Sequence, residues 1–222
     1  LINNKEMILH VYDAAIKTNS GDVYVATPDQ KIINLIKDNG GKAIKTSLSH
    51  QTGTDRVYEV FKNQLKSEPN IVINLQGDMP NIDPKDIANL ISYMYERKCD
   101  IGTLASSFSS DKEIADINNV KVAVNDPLTN NQFDQAIDFF RKDEKKYEYF
   151  YHHVGIYAFT NKALVRYVSL NRSKLELERK LEQLRALENS MTIHVGYINS
   201  SPLSVDTKND LIEVRKIMEK NE

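Results

Sequence analysis

One cysteine, Cys99, is all that the 222-residue chain carries. No internal disulfide can form, and a cytoplasmic, reducing setting is expected. Neither charge sign dominates: 29 Lys and Arg stand against 31 Asp and Glu, a net charge of −2. Nucleic-acid and membrane-surface binding usually need a basic excess, so neither is expected here. A small anion held by a few local cations remains compatible with that balance. No apolar run approaches the ~20 residues of a membrane-spanning helix, and no repeat or low-complexity tract is present. HExxH, CxxC, GxSxG, a Walker lysine motif and GxGxxG are all absent, which removes zinc and the commonest hydrolase, NTPase and dinucleotide readings.

What is present alternates. Helical spacing runs through Met7–Lys17, Gln30–Asp38, about Thr54 to Lys66, and Asp83/Pro84 to Arg97. Short β-rich runs lie between them at Val23–Thr27, Ala43–Ile44, Ile71–Leu75 and Ile101–Ala105. This βαβα rhythm predicts an α/β fold, a mostly parallel sheet with helices on both faces. Further on, Val120–Val124, Val154–Phe159 and Thr192–Ile198 read as strands. Leu164–Leu170, Leu175–Leu187 and Lys208–Met218 read as helices, and Asn125–Glu148 is a polar stretch without an evident core. No linker stands out, so a single domain over residues 1–222 with an inserted lobe is expected.

Five stretches can carry chemistry. In "NLQGDMP", Asp78 follows a buried strand, where ligands gather in parallel α/β sheets; it is either a turn carboxylate or a metal ligand. In "VDTKNDL", Asp206 precedes a helix and is either its N-cap, a duty Thr207 can also fill, or a second metal ligand. Magnesium is held by one or two carboxylates plus phosphate oxygens and water, so the two aspartates together meet its need. "SHQTGTDR" places Arg56 at a helix start, where backbone N–H groups favour anions; a capped loop with a solvated Arg56 fits the same residues. In "YHHVGIYAF", adjacent strand residues point to opposite faces, so His152 and His153 do not form a metal pair, whereas His153 and Tyr157 share a face. In "LEQLRAL", Glu182 and Gln183 flank a stripe of Leu177, Leu181 and Leu184 and have the look of surface residues.

With these motifs in this order, together with "NNKEMILHVYDAA", "VYVATPD" and "NNVKVAV", nearly the whole chain resembles the 3-deoxy-manno-octulosonate (KDO) cytidylyltransferases. The resemblance implies a Rossmann-like nucleotidyltransferase domain with a smaller dimerisation lobe at about 120–170. It implies a cytoplasmic homodimer that joins CTP to KDO, giving CMP-KDO and pyrophosphate, for lipopolysaccharide biosynthesis. It assigns Mg2+ to Asp78 and Asp206 as the catalytic metal ligands. Thr52, Gly53, Thr54, Arg56 and Gln76 fall on nucleotide-binding positions, and His153, Tyr157, Glu182, Gln183 and, through "AIDFFR", Arg141 on sugar-acid positions. Gly77 is expected to let the backbone approach a ligand, and Pro80 to end strand pairing. His152 stands where relatives often have arginine, Lys174 where proline is usual, and Ser204 where glycine is usual. A related sugar-acid cytidylyltransferase and a non-catalytic nucleotide-binding protein are the alternatives.

The opening "LINNKEM" lacks an initiator methionine. Members of this family begin with a strand and a loop rich in Arg, Lys and Gly that cradles the triphosphate. The expectation is a polypeptide extended N-terminally by roughly twenty residues, the size of such a unit.

Overall fold

The computed structural model describes residues 1–64, 68–97, 99–130, 132–142, 146–200 and 202–220. Two compact units make up the chain. One comprises Leu1–Lys66, Leu75–Ala88 and Pro202–Glu222, the other Ser67–Asn74 and Asn89–Ser201.

The first unit opens with α1 (Met7–Lys17), which buries Leu9, Val11 and Ala14. Next come β1 (Val25–Thr27), α2 (Gln30–Asp38) and β2 (Ala43–Lys45). Asp29 caps α2 by accepting from the Lys31 N–H at 2.7 Å. The helix ends where Gly40 takes φ 74° and the Gly41 N–H closes on the Ile36 carbonyl at 2.8 Å, a left-handed stop suited to glycine. Ile33 and Ile36 are buried, and α2 packs on both strands. That crossover lets β1 and β2 pair in parallel, Val25 opposite Ala43. α3 (Gly53–Gln64) follows; the Leu65 and Lys66 end of the expected helix lies outside the described residues. α9 (Lys208–Lys220) completes the unit.

The second unit holds a six-stranded sheet. After β3 (Ile71–Leu75) and α4 (Pro84–Glu96) come β4 (Ile101–Ser106), α5 (Asp111–Ala115), β5 (Lys121–Val124), β6 (Phe133–Phe140), β7 (Tyr149–Thr160), α6 (Asn161–Ser169), α7 (Lys174–Arg179), α8 (Leu184–Glu188) and β8 (Ile193–Tyr197). The spatial order is β3-β7-β4-β8-β6-β5, and β5 also pairs with β7. Here the expectation of a mostly parallel sheet is corrected. β4 and β8 run parallel, but β4·β7, β5·β6, β5·β7 and β6·β8 are antiparallel. The reason is connectivity. β5 and β6 follow one another with no helix described between them, and such a direct connection gives an antiparallel pair.

β6 lies inside the stretch that read as polar and coreless. Its inward Asp138 is buried, yet fully engaged: Arg179 Nη1 donates to both carboxylate oxygens at 2.8 and 2.9 Å, and the Tyr147 hydroxyl donates at 2.7 Å. A polar residue at an inward position disguised the strand. A second correction concerns Leu175–Leu187. Lys180 takes φ 55°, ψ 46° and splits the expected helix into α7 and α8. Leu177 is consequently 52% exposed and outside the core, while Leu181 and Leu184 are buried. Across the break, the fully buried Glu176 accepts from Arg185 Nε at 2.8 Å and Nη2 at 2.7 Å, and from Arg172 Nε at 2.8 Å.

Removing one partner of a buried pair leaves the other charge uncompensated. Arg185→Met is therefore expected to cost about 3 kcal/mol, less than complete loss because Arg172 remains. A urea titration of both proteins measures it.

Candidate active site

After β3 the chain enters the first unit with Gln76, Gly77 and Asp78, and a Cβ on Gly77 would come within 2.7 Å of Ile8 Cδ1 in α1. The glycine is thus explained by close packing of the loop on α1. Met79 and Ile82 are buried and anchor the loop. The segment before α9 is stitched to it: the Leu203 N–H donates to Asn81 Oδ1 at 3.0 Å, the Ser204 hydroxyl to Asp78 Oδ2 at 3.0 Å, and the Val205 N–H to the Asp78 carbonyl at 2.9 Å. These bonds bring Asp206 close enough for its charge to act on Asp78.

Asp206 is not the cap of α9. Thr207 and Asp210 cap it reciprocally: the Thr207 N–H donates to Asp210 Oδ2 at 2.7 Å and the Asp210 N–H to Thr207 Oγ1 at 3.3 Å. The exposed Asp206 carboxylate takes no part. Asp78 is half-buried, and its Oδ1 is enclosed with no hydrogen-bond partner. Desolvation pushes its carboxyl above the usual range. Ser204 and its own backbone pull it partly back, and Asp206 adds to the rise. Two carboxylates raise one another's cost, and an enclosed oxygen without a donor adds to it. A hard divalent cation relieves both, so this donor set fits one. Among the described residues, no group of three or more His, Cys, Asp or Glu side chains forms a metal cage.

The "TGTDR" loop begins α3. Thr52 Oγ1 accepts from the Asp55 N–H at 3.2 Å and donates to Asp55 Oδ2 at 2.9 Å, so Thr52 is the cap. Gly53 is exposed and Thr54 buried. Arg56 is no solvated surface residue: its Nη1 donates to Thr46 Oγ1 at 2.6 Å and to the Ser47 carbonyl at 3.0 Å. One turn on, Glu59 accepts from the Ser47 N–H at 2.9 Å and meets the His50 ring. Those contacts hold its carboxyl below the usual range, the Ser47 bond foremost. Arg56 and Glu59 thereby clamp the 46–50 loop to α3.

The sugar-acid candidates belong to the second unit. β7 gains two residues against β4, since Thr103 lies opposite Tyr157 while Leu104 lies opposite Val154. Two extra residues preserve the alternation, so His153 and Tyr157 still share a face, ring centroids 5.5 Å apart. Burial foremost, and His152 next, depress the His153 pKa to about 3, which makes it a neutral imidazole. Thr103 Oγ1 has one proton and gives it to the Ile156 carbonyl at 2.7 Å. Its 2.9 Å contact with His153 Nε2 is then a bond donated by the imidazole, and Nδ1 is left as an acceptor. Tyr157 is held neutral by burial and then by the charge of Glu182. Gln183 is buried and Glu182 half-buried at the entry to α8, against their surface-like look in the sequence.

Arg141 is engaged by backbone carbonyls. Its Nη1 donates to the carbonyls of Ile117 at 3.1 Å and Asn118 at 2.8 Å. Lys121, fully buried, donates to those of Asp116 at 2.7 Å and Asn119 at 3.0 Å, and to Arg141's own carbonyl at 2.7 Å. Four consecutive carbonyls are thus held by two cations. Lys121, Glu59 and Asn81 escaped the sequence reading, and Ser204 entered it only as a departure from glycine, because each acts through a partner distant in sequence.

A model of the cytidylyltransferase family matches residues 1–193. The chain belongs to that family. Among curated cytidylyltransferases, the 3-deoxy-manno-octulosonate cytidylyltransferase of Bartonella henselae is 38% identical over 219 residues, 98% of this chain and 89% of its own. That of Brucella ovis is 39% identical over 216 residues, 96% and 86% of the two chains. A solved CMP:2-keto-3-deoxy-manno-octonic acid synthetase complexed with CTP superposes with a TM-score of 0.88 at 34% identity, covering 100% of this chain and 91% of that one. The 4-diphosphocytidyl-2C-methyl-D-erythritol synthase of Anaerococcus prevotii, at TM-score 0.65, 14% identity and 99% and 91% coverage, shares the nucleotidyltransferase fold. Among the described residues of this cytidylyltransferase, no helix is long and apolar enough to cross a membrane.

A histidine neutral when buried and charged when unfolded lowers stability as pH falls below the unfolded pKa near 6.5, down to about 3. His153 is expected to make the protein about 2 kcal/mol less stable at pH 5 than at pH 8. His153→Gln should flatten that difference, as read from urea midpoints at the two pH values.

Proposed function

We propose that this chain is the cytidylyltransferase that activates KDO with CTP, releasing pyrophosphate and giving CMP-KDO for lipopolysaccharide biosynthesis. The observation that carries the reading is the end-to-end likeness to KDO cytidylyltransferases, 38% identity over 98% of the chain. The geometry of the residues supports it. Asp78 and Asp206 would hold Mg2+, with the enclosed Asp78 Oδ1 as the oxygen lacking another partner. When bound, the cation screens the phosphate charge that repels an anionic sugar and stabilises the departing pyrophosphate.

The protein's own groups do the rest. Gln76 and the Thr52–Arg56 turn hold the nucleotide, with backbone N–H groups at the start of α3 suited to an anion. In that role Arg56 also shapes its loop, being already bonded to Thr46 and Ser47. His153 offers a lone pair to a sugar hydroxyl rather than a charge to the carboxylate. Tyr157, Glu182 and Gln183 supply further polar contacts, and Arg141 the cation for the acid group. The enzyme works as a cytoplasmic homodimer through a lobe at about 120–170, a stretch in which Ile137 and Val165 are exposed.

Two measurements test this. Pyrophosphate release with CTP, Mg2+ and either KDO or another nonulosonic acid should favour KDO. Preference for the other acid would make the protein a related CMP-sugar-acid synthetase, and no release with either would leave a nucleotide-binding protein. Glu182→Ala should raise the KM for KDO about tenfold, the effect of one lost contact of ~1.4 kcal/mol, and leave that for CTP within about twofold. Equal losses for both substrates would mark Glu182 as structural.

A further inference from the structure

Leu203, Ser204 and Val205 each bond to the loop that carries Asp78. The outer two do so through their backbones, so Ser204 is fixed from both sides and presents its hydroxyl to Asp78 Oδ2 at 3.0 Å. The other oxygen, Oδ1, is enclosed and has no hydrogen-bond partner. The terminal torsion of an aspartate is broad; one oxygen held by a donor fixes where the other lies. Magnesium demands near-ideal octahedral geometry, and groups that orient a metal's ligands commonly govern affinity 10- to 100-fold.

We infer that Ser204 is a positioning residue: by engaging Asp78 Oδ2 it holds the carboxylate so that Oδ1 is reserved for the divalent cation. This rests on the assignment of Asp78 to that cation. A plainer role, in which Ser204 only satisfies a half-buried carboxylate, leads elsewhere. It moves stability and leaves metal affinity alone. Ser204 is itself exposed, so its hydroxyl can be removed with little loss of packing.

Mn2+ serves as the probe, titrated by electron paramagnetic resonance into the full-length protein with CTP present. Ser204→Ala is expected to weaken Mn2+ binding about tenfold, with the urea midpoint and metal-free CTP affinity unchanged. Ser204→Thr, which keeps the hydroxyl, should return Mn2+ affinity to within about twofold of wild type. Asp78→Asn should abolish the signal of bound Mn2+. If Ser204→Ala binds Mn2+ like wild type while Asp78→Asn does not, or if threonine fails to restore binding, Ser204 does not position the ligand. If Asp78→Asn binds Mn2+ normally, the assignment of Asp78 is itself wrong. Should the alanine variant fold poorly, Ser204→Cys, similar in size and a weak donor, gives the same comparison.

Discussion

Two like charges set close together are costly, and the first unit sets them together through neutral hydrogen bonds. The backbone of Val205 and the side chain of Asn81 fasten the segment before α9 to the loop after β3. Asp206 is carried along, and its charge is felt at Asp78. The two fastening bonds involve no charge, so they persist whether or not the carboxylates are compensated. An arrangement that folds at its own expense is one that a divalent cation would relieve. The clamp of Arg56 and Glu59 on the 46–50 loop follows the same logic, using bonds within the protein to fix a loop beside a helix start.

The second unit keeps its buried imidazole and phenol neutral instead. His153 is buried and neutral and Tyr157 is buried and protonated. Where ions are buried, they are met in full, as Glu176 is by Arg185 and Arg172 and Asp138 by Arg179 and Tyr147. The polar groups of this unit are thereby fixed in hydrogen-bond direction rather than in charge.

Much of this was legible in the sequence. α1, α2 and β3 fall on the expected residues because local signals agree there: apolar spacing, an Asp cap, paired glycines, a β-rich run before QGD. β6 was hidden because Asp138 occupies an inward position, and its partner Arg179 lies 41 residues away. The Lys180 break was hidden because a left-handed lysine has no sequence signature, whereas Gly40 has one. Asp78 and Asp206 in the first unit, and the His153–Tyr157 face in the second, could be named from motif and alternation. Ser204, Asn81 and Lys121 could not, since their roles exist only once distant segments meet. The family resemblance, rather than periodicity, singled out Glu182 and Gln183; their burial follows from the break at Lys180.

The central claim is that the Asp78 and Asp206 pair holds the catalytic cation. Anomalous diffraction from crystals grown with CTP and Mn2+ tests it directly. The account predicts a manganese peak about 2.2 Å from one oxygen of each carboxylate, close to the distances of divalent cations on oxygen ligands. A manganese peak on the nucleotide, away from both carboxylates, would contradict it.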